Sequence, residues 1–267
     1  PDYSVDEKMS PIFTYTVYAD VSDINGETHN AETTVSAGYQ ALLVTTSLPD
    51  DVNAANGVTF DLKTANLNNQ PEQAEGILTI HKIVKPSAVL FPRKWDRPDK
   101  FTMTREEFKK LFPDEIYDNE NDITKWEKGE PVFSKSFRTP ADSLISALPN
   151  PDPGLYLLEI KTKDSFNKEV VYTKYFNVFL PGAGKATNAS PLFVNLLKTK
   201  AEPGETVALL IASPLRKVYA VVEISGPNGT SQRQFYNIDN RQLRIDIPVS
   251  EEHRGNIAVN VTFVRKN

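Results

Sequence analysis

Apolar residues recur at every second position over most of this chain, and that period limits its fold more than any other feature. From Phe13 to Val21 the odd-numbered residues are apolar or aromatic, while most of the even-numbered ones are polar. A period of two places one set of side chains on one face of a half-buried β-strand. Similar segments continue as far as Phe263, so the sequence predicts an all-β protein built from several β-sandwiches.

A second constraint is an internal repeat of a β-hairpin. Asn25-Gly26 favours the positive φ angles of a tight turn, so residues 27–37 are predicted to return as the partner of the first strand. About 140 residues later, the segment from Tyr156 to Asp164 repeats the spacing and parity of the segment from Tyr15 to Asp23. We interpret both as closing hairpins of sandwich domains, in which Tyr15 and Tyr156 can hydrogen-bond back to the main chain as in a tyrosine corner.

The periodic segments divide the chain into three predicted units. Residues 1–40 are predicted to be the C-terminal hairpin of a truncated β-sandwich domain, because the sequence opens like a piece of a longer chain. Residues 41–180 are predicted to form a β-sandwich domain with a partly helical insertion at about 86–150. Residues 181–190 are small and polar with no apolar anchor, which predicts an exposed linker. Residues 191–267 are long enough for one more β-sandwich domain.

Two helices are predicted within the insertion. Thr104 and Glu107 form a capping box, and the helix that they begin would be stopped by Pro113. A second helix is predicted to begin at Thr139-Pro140, with a capping threonine and proline at the first helical position. Its buried stripe would consist of Leu144, Ile145 and Leu148.

Composition excludes several classes of function. The chain has no cysteine, which excludes disulfides, thiolate metal sites and cysteine nucleophiles. Its formal net charge of −5 argues against a nucleic-acid partner, and no apolar run is long enough to span a bilayer, so we predict no membrane contact by this segment. His29, His81 and His253 are predicted in a hairpin, a strand and a polar turn, and no Gly-x-Ser-x-Gly motif is present. We therefore predict a protein that is not an enzyme and carries no cofactor.

Two clusters are candidate binding sites. The acidic stretch from Asp114 to Asp122 lacks the alternate spacing and central glycine of a calcium loop, so a solvated charged loop is favoured and calcium binding stays open. Trp95 and Trp126 form either an aromatic surface that stacks on sugars or a mini-core under the insertion. We favour the mini-core, because helices this short need one.

A protease would need an exposed segment that can be extended. Two segments offer one: the insertion from Pro86 to Arg105, and the linker at Lys185. The aromatic content of the insertion favours a scaffold there, since a segment that is cut first should have little burial to lose. Lys185 is therefore the predicted protease-sensitive position.

Several segments together resemble a known family. They are Tyr15 to Thr28, Ala65 to Asn68, Trp126 to Gly129, Ala201 to Glu205 and Pro248 to Gly255. In order and spacing these resemble the macroglobulin-type domains of alpha-2-macroglobulin-like proteins from Bacteroides-type bacteria. The resemblance implies tandem fibronectin-III/immunoglobulin-like sandwiches, with residues 191–267 lying near the bait region.

The resemblance also implies a function. Family members are endopeptidase inhibitors that trap a protease after it cuts a bait segment, and many capture it through a Cys–Gln thioester. This chain has no cysteine and so contains no thioester. The implied role is a non-catalytic scaffold of the trap, located in the periplasm or outside the cell, with anchoring to the cell envelope through an N-terminal signal upstream. Its implied partners are proteases, met through the full-length protein, and neighbouring macroglobulin-type domains. The alternative is a carbohydrate- or surface-binding β-sandwich module of an adhesin or glycan-uptake system.

Overall fold

The computed structural model describes residues 11–265 except 87–89, 92, 94–95, 188–189, 228 and 230, and its first element is a long hairpin. Strands β1 (Ile12–Ser22) and β2 (Thr28–Gly38) pair antiparallel over their full length and form a two-stranded sheet of their own. Gly26 sits in the turn with a φ of 83°, as the Asn-Gly pair predicts. The predicted hairpin is confirmed.

The next eight strands form two sheets. Their bounds are β3 Leu42–Thr46, β4 Asp51–Asn53, β5 Val58–Asn66, β6 Glu75–Ile83, β7 Lys128–Arg138, β8 Leu144–Leu148, β9 Gly154–Lys163 and β10 Glu169–Phe179. One sheet has the order β4-β10-β9-β6-β7 and the other β3-β5-β8. Alternate residues of facing strands, among them Leu62, Ile80 and Leu158, meet in one buried core. The alternating pattern thus packs as a sandwich.

The segment between β6 and β7 contains the only α-helix in the described part of the chain. Helix α1 spans Arg105–Leu111 and begins with the predicted capping box, in which Thr104 and Glu107 exchange hydrogen bonds. Short 3₁₀ turns occur at Ala54–Asn56, Ile123–Lys125 and Glu251–His253. No helix in the described ranges has the length and apolar character needed to cross a bilayer.

The predicted second helix is wrong. Its stripe residues lie on β8, where Ile145 is fully buried at 0% exposure and Leu144 points outward at 64% exposure. The first three residues of β8 alternate between exposed and buried, and the pairing of β8 with β5 overrides the local helix signal. Thr139 does not cap a helix: its N–H donates to the Ala74 carbonyl at 2.9 Å. Residues 128–148 of the predicted insertion therefore form β7 and β8.

Six strands complete the chain. They are β11 Phe193–Leu196, β12 Thr206–Ser213, β13 Val218–Ser225, β14 Ser231–Asn237, β15 Arg241–Pro248 and β16 Ala258–Arg265. Two three-stranded sheets, β11-β12-β15 and β14-β13-β16, enclose a core that includes Leu209, Val222 and Ile245. The protein is all-β, built from β-sandwiches with a short helical insertion, as the sequence predicts.

Candidate functional site

A five-residue turn joins β9 to β10 and depends on one buried carboxylate. The Oδ1 atom of Asp164 accepts hydrogen bonds from the N–H groups of Phe166 and Lys168 at 3.0 and 2.9 Å. The N–H of Asp164 donates to the Lys168 carbonyl at 3.0 Å, and Asn167 adopts a φ of 63°. Asn tolerates this left-handed conformation, and Asp at the first position closes the turn through its side chain.

The turn between β1 and β2 has the same hydrogen bonds. The Oδ1 atom of Asp23 accepts from the N–H groups of Asn25 and Glu27 at 2.8 and 2.9 Å. The N–H of Asp23 donates to the Glu27 carbonyl at 2.8 Å, and Gly26 takes the left-handed place. The predicted repeat of the two hairpins is confirmed down to individual hydrogen bonds.

A third copy of this turn lies at the end of β5, where the sequence predicts a turn over residues 66–71 but not its likeness to the other two. The Oδ1 atom of Asn66 accepts from the N–H groups of Asn68 and Gln70 at 2.9 and 3.0 Å, and Asn69 has a φ of 61°. The signal was present in the sequence: Asp or Asn at the first position is followed three residues later by Gly or Asn.

The turns at Asp164 and Asn66 also form hydrogen bonds with the segment that leaves the first hairpin. The Oδ2 atom of Asp164 accepts a hydrogen bond from the N–H of Ala41 at 3.0 Å, and Asn68 Oδ1 accepts one from the N–H of Ser36 at 3.0 Å. The Lys168 ammonium lies 5.7 Å from the centre of the Tyr39 ring. We call these contacts the first junction. They join the hairpin to the sandwich behind it.

The pKa of Asp164 reflects this position. Its side chain is only 7% exposed, and burial alone would raise the pKa of the carboxyl. Hydrogen bonds from the N–H groups of Ala41, Lys168 and Phe166 outweigh burial and hold the pKa below its ordinary value. These hydrogen bonds therefore favour the ionised form of the Asp164 carboxyl.

The segment around Lys185 is anchored on both sides, which corrects the expectation of a linker with no apolar anchor. Gln242, on β15, donates from its main-chain N–H to the Gly184 carbonyl at 3.0 Å and from Nε2 to the Leu180 carbonyl at 2.9 Å. Ala186 is buried in a cluster with Phe179, Phe193, Leu210 and Ala212. Lys185 itself is exposed between these anchors. We call this set of contacts the second junction.

Of the two tryptophans, the structure describes Trp126. Trp95 lies outside the described residues. Trp126 packs with Ile123 against a buried cluster that includes Leu155, and its Nε1 donates to the Glu120 carbonyl at 2.8 Å. Trp126 thus lies in a mini-core, and the assignment of the two tryptophans as a site stays a prediction.

Arginines pair with the acidic stretch. Asp118 bonds Arg97 at 2.6 Å and lies 3.6 Å from Arg105, which also bonds Glu120 at 2.7 Å. Asp122 caps the following 3₁₀ turn, and hydrogen bonds from Thr124 lower its pKa. Within the part of the chain that the structure describes, no group of three or more His, Asp or Glu side chains is placed to hold a metal ion.

The three histidines lie in three separate elements. His81 is buried on β6 with Nδ1 2.9 Å from the Gly129 carbonyl, His253 Nδ1 accepts from the N–H of Ser250 at 3.0 Å, and His29 is exposed on β2. Each has a structural role or faces solvent, as predicted from their places in the sequence.

Comparison with known proteins finds likeness among solved structures alone. No protein-family model matches the chain, and no curated protein matches it. The native conformation of E. coli alpha-2-macroglobulin aligns with 95% of this chain at 12% identity and a TM-score of 0.31. Salmonella alpha-2-macroglobulin reacted with methylamine aligns with 94% at 14% identity and a TM-score of 0.30. A tetra-tandem repeat from the extending region of a large adhesion protein aligns with 95% at 12% identity and a TM-score of 0.26.

The chain spans 17% of the length of each of those two macroglobulins and 56% of the adhesion-protein chain.

Proposed function

We propose that this chain is a non-catalytic scaffold segment of a bacterial alpha-2-macroglobulin-like protease trap. The observation that carries the proposal is the first junction, in which side chains of two repeated turns accept hydrogen bonds from main-chain N–H groups of the segment that leaves the first hairpin. The resemblance of the sequence segments to macroglobulin-type domains supplies the family. In the same proposal the protein is located in the periplasm or outside the cell and meets proteases through its full-length form.

The proposed domains follow from the repeat. Tyr15 on β1 is 50% exposed, whereas its counterpart Tyr156 on β9 is 3% exposed and covered by the facing sheet. Strand β9 pairs with β10 on one edge and with β6 on the other, whereas among the described residues β1 pairs with β2 alone. We propose that residues 1–40 close a neighbouring β-sandwich, that 41–180 and 191–267 are further domains, and that 181–190 connect them.

Both junctions suit a scaffold. A flexible spacer would need few contacts at its ends, but here side chains of Asp164, Asn68 and Gln242 accept from or donate to main-chain groups across each boundary. Hydrogen bonds to the backbone fix direction as well as distance. A trap that rearranges after one cut needs segments that keep their shape while others move.

The test uses the full-length protein, incubated with trypsin and then assayed on casein and on a small chromogenic peptide. We expect casein hydrolysis to fall while peptide hydrolysis continues, because a trapped protease excludes large substrates. Mass spectrometry of the same samples should find no early cleavage within 41–180. Equal activity on both substrates would contradict the trap, and early cleavage within 41–180 would contradict the scaffold.

The alternative is a carbohydrate- or surface-binding module of an adhesin or glycan-uptake system, and it depends on Trp95 and Trp126. Trp126 is partly buried against the cluster of Ile83, Leu155 and Leu157, and this packing disfavours the binding module. Tryptophan fluorescence against a glycan panel separates the two proposals: a scaffold leaves the emission unchanged, and a saturable shift would favour the binding module.

A further inference from the structure

The first hairpin has an apolar face that no other described element covers. Strand β1 carries Tyr15 and Val17 on this face, and β2 carries Val35 opposite Tyr15. These three side chains are 50%, 49% and 45% exposed. The outer edge of β1 is also unpaired among the described residues, because β1 pairs with β2 alone. An apolar sheet face beside an open strand edge is typical of a surface that binds a partner.

The internal repeat shows what covers the same face in the sandwich that follows. Each of the three residues has a counterpart at the same place in the second hairpin. In the same order, the counterparts are Tyr156, Leu158 and Phe176. They are 3%, 0% and 1% exposed, because they share one buried core with strands of the facing sheet β3-β5-β8. The equivalent outer edge, that of β9, pairs antiparallel with β6. A hairpin of this kind therefore accepts both a facing sheet and an edge strand.

The register of β6 on β9 defines the kind of strand that fits β1. Leu78 and Ile80 on β6 lie opposite Ile160 and Leu158 on β9, and all four side chains are fully buried. In the first hairpin the same register places Ile80 opposite Val17. Apolar cross-strand pairs stabilise a sheet, and a shift by one residue would turn every side chain to the other face. The fitting strand therefore runs antiparallel to β1 and carries apolar side chains at alternate positions.

We propose that the outer edge of β1 and the apolar face of the first hairpin bind an antiparallel β-strand with alternate apolar side chains, in the register that β6 takes on β9. Main-chain hydrogen bonds at the strand edge supply affinity, and the apolar positions supply specificity. The inference rests on the proposal that residues 1–40 close a neighbouring β-sandwich, and it adds the partner and its direction. The partner is a strand of that sandwich and not a second copy of this hairpin, because the covered counterpart meets strands of a sandwich.

The probe is a labelled synthetic peptide with the sequence of β6, Glu75–Ile83, because this sequence fits the equivalent edge of β9. The full chain is titrated against it and binding is followed by fluorescence anisotropy. We expect saturable binding below about 1 mM. A matched peptide with Leu78→Ser and Ile80→Ser keeps the main-chain groups but loses the apolar side chains, and it should not bind. Absence of binding by the native peptide, or equal binding of both peptides, would overturn the proposal.

Two protein variants locate the binding on β1. Val17→Lys places a charge on the apolar face, and Tyr18→Lys places the same charge on the opposite face, where Tyr18 is 72% exposed. Both side chains are exposed, so neither change disturbs a buried core. We expect Val17→Lys to weaken peptide binding at least about tenfold and Tyr18→Lys to change it less than about twofold. An equal loss in both variants, or no loss in either, would place the peptide elsewhere and refute the assignment.

Analytical ultracentrifugation of the chain without peptide tests a second copy as the occupant. A monomer is the expected result, and a dimer that Val17→Lys dissociates would assign the face to a second copy and overturn the proposal. The trap assay is independent of these measurements. Peptide binding without protease trapping supports this inference and contradicts the trap, whereas trapping without peptide binding supports the trap and contradicts this inference.

Discussion

The main-chain N–H of Ala41 donates to the buried carboxylate of Asp164 at 3.0 Å, across 123 positions of sequence. The same carboxylate closes the turn between β9 and β10. The side chain of Asp164 therefore closes a turn and also anchors the segment that enters the sandwich. Its counterpart Asp23 closes an identical turn and, among the described residues, bonds no distant segment. The repeat thus offers a natural control for each experiment on the junction.

We expect Asp164→Ala to weaken the first junction and Asp23→Ala to leave it intact. Loss of Asp164 leaves the N–H of Ala41 without its acceptor and opens the turn, at a cost of about 2 kcal/mol. Hydrogen exchange measured by mass spectrometry should show faster exchange of the peptides containing Ala41 and Lys168. In Asp23→Ala the change should stay within residues 23–27. Unchanged exchange at Ala41 in Asp164→Ala would contradict the junction.

The same contact should depend on pH in a defined direction. Because the folded-state pKa of Asp164 lies below its ordinary value of 3.8, the carboxylate adds stability that is complete above that value. The added stability is lost as the pH falls through the lowered folded-state pKa. The amide signal of Ala41 in NMR spectra should stay constant from neutral pH to about pH 4 and shift below it. A shift centred well above pH 4 would show that another group controls the junction.

Tyr156 offers a second comparison between the two hairpins. Its hydroxyl donates to the Asp152 carbonyl at 2.7 Å, and burial, with a smaller effect of Asp152, raises the pKa of Tyr156 to about 12. Tyr156→Phe should destabilise the protein by about 1 kcal/mol, since it leaves the Asp152 carbonyl without that donor. Tyr15→Phe, in the exposed counterpart, should change stability by less than about 0.5 kcal/mol. The midpoints of urea denaturation measure both, and equal shifts would refute the tyrosine-corner role of Tyr156.

Most strands could be predicted from the sequence, because alternation is a local property of a strand with one buried face. Strand β8 could not be predicted in this way, because Thr139-Pro140 has the residue types of a helix start. Only the pairing of Ile145 with β5 shows that Leu144–Leu148 is a strand. Strand β14 is polar and mostly exposed, so it gives no periodic signal.

Less of the candidate site than of the fold could be predicted from the sequence. The turn at Asp164 follows from its residue types, but its bond to Ala41 depends on how distant strands pack.

The last prediction concerns Lys185 and the two hydrogen bonds that Gln242 makes to its segment. A protease must extend several residues around its cleavage site, so Leu180 and Gly184 have to be released first. Gln242→Ala removes the side-chain bond to Leu180 and should raise the rate of tryptic cleavage at Lys185 severalfold, because the opened form becomes more populated. Gln232→Ala, at an exposed position of β14, serves as the control and should leave the rate unchanged. The rate is measured by mass spectrometry at a low ratio of trypsin to protein. If native protein and Gln242→Ala are cut at Lys185 equally fast, the segment is open in solution and the second junction does not restrain it.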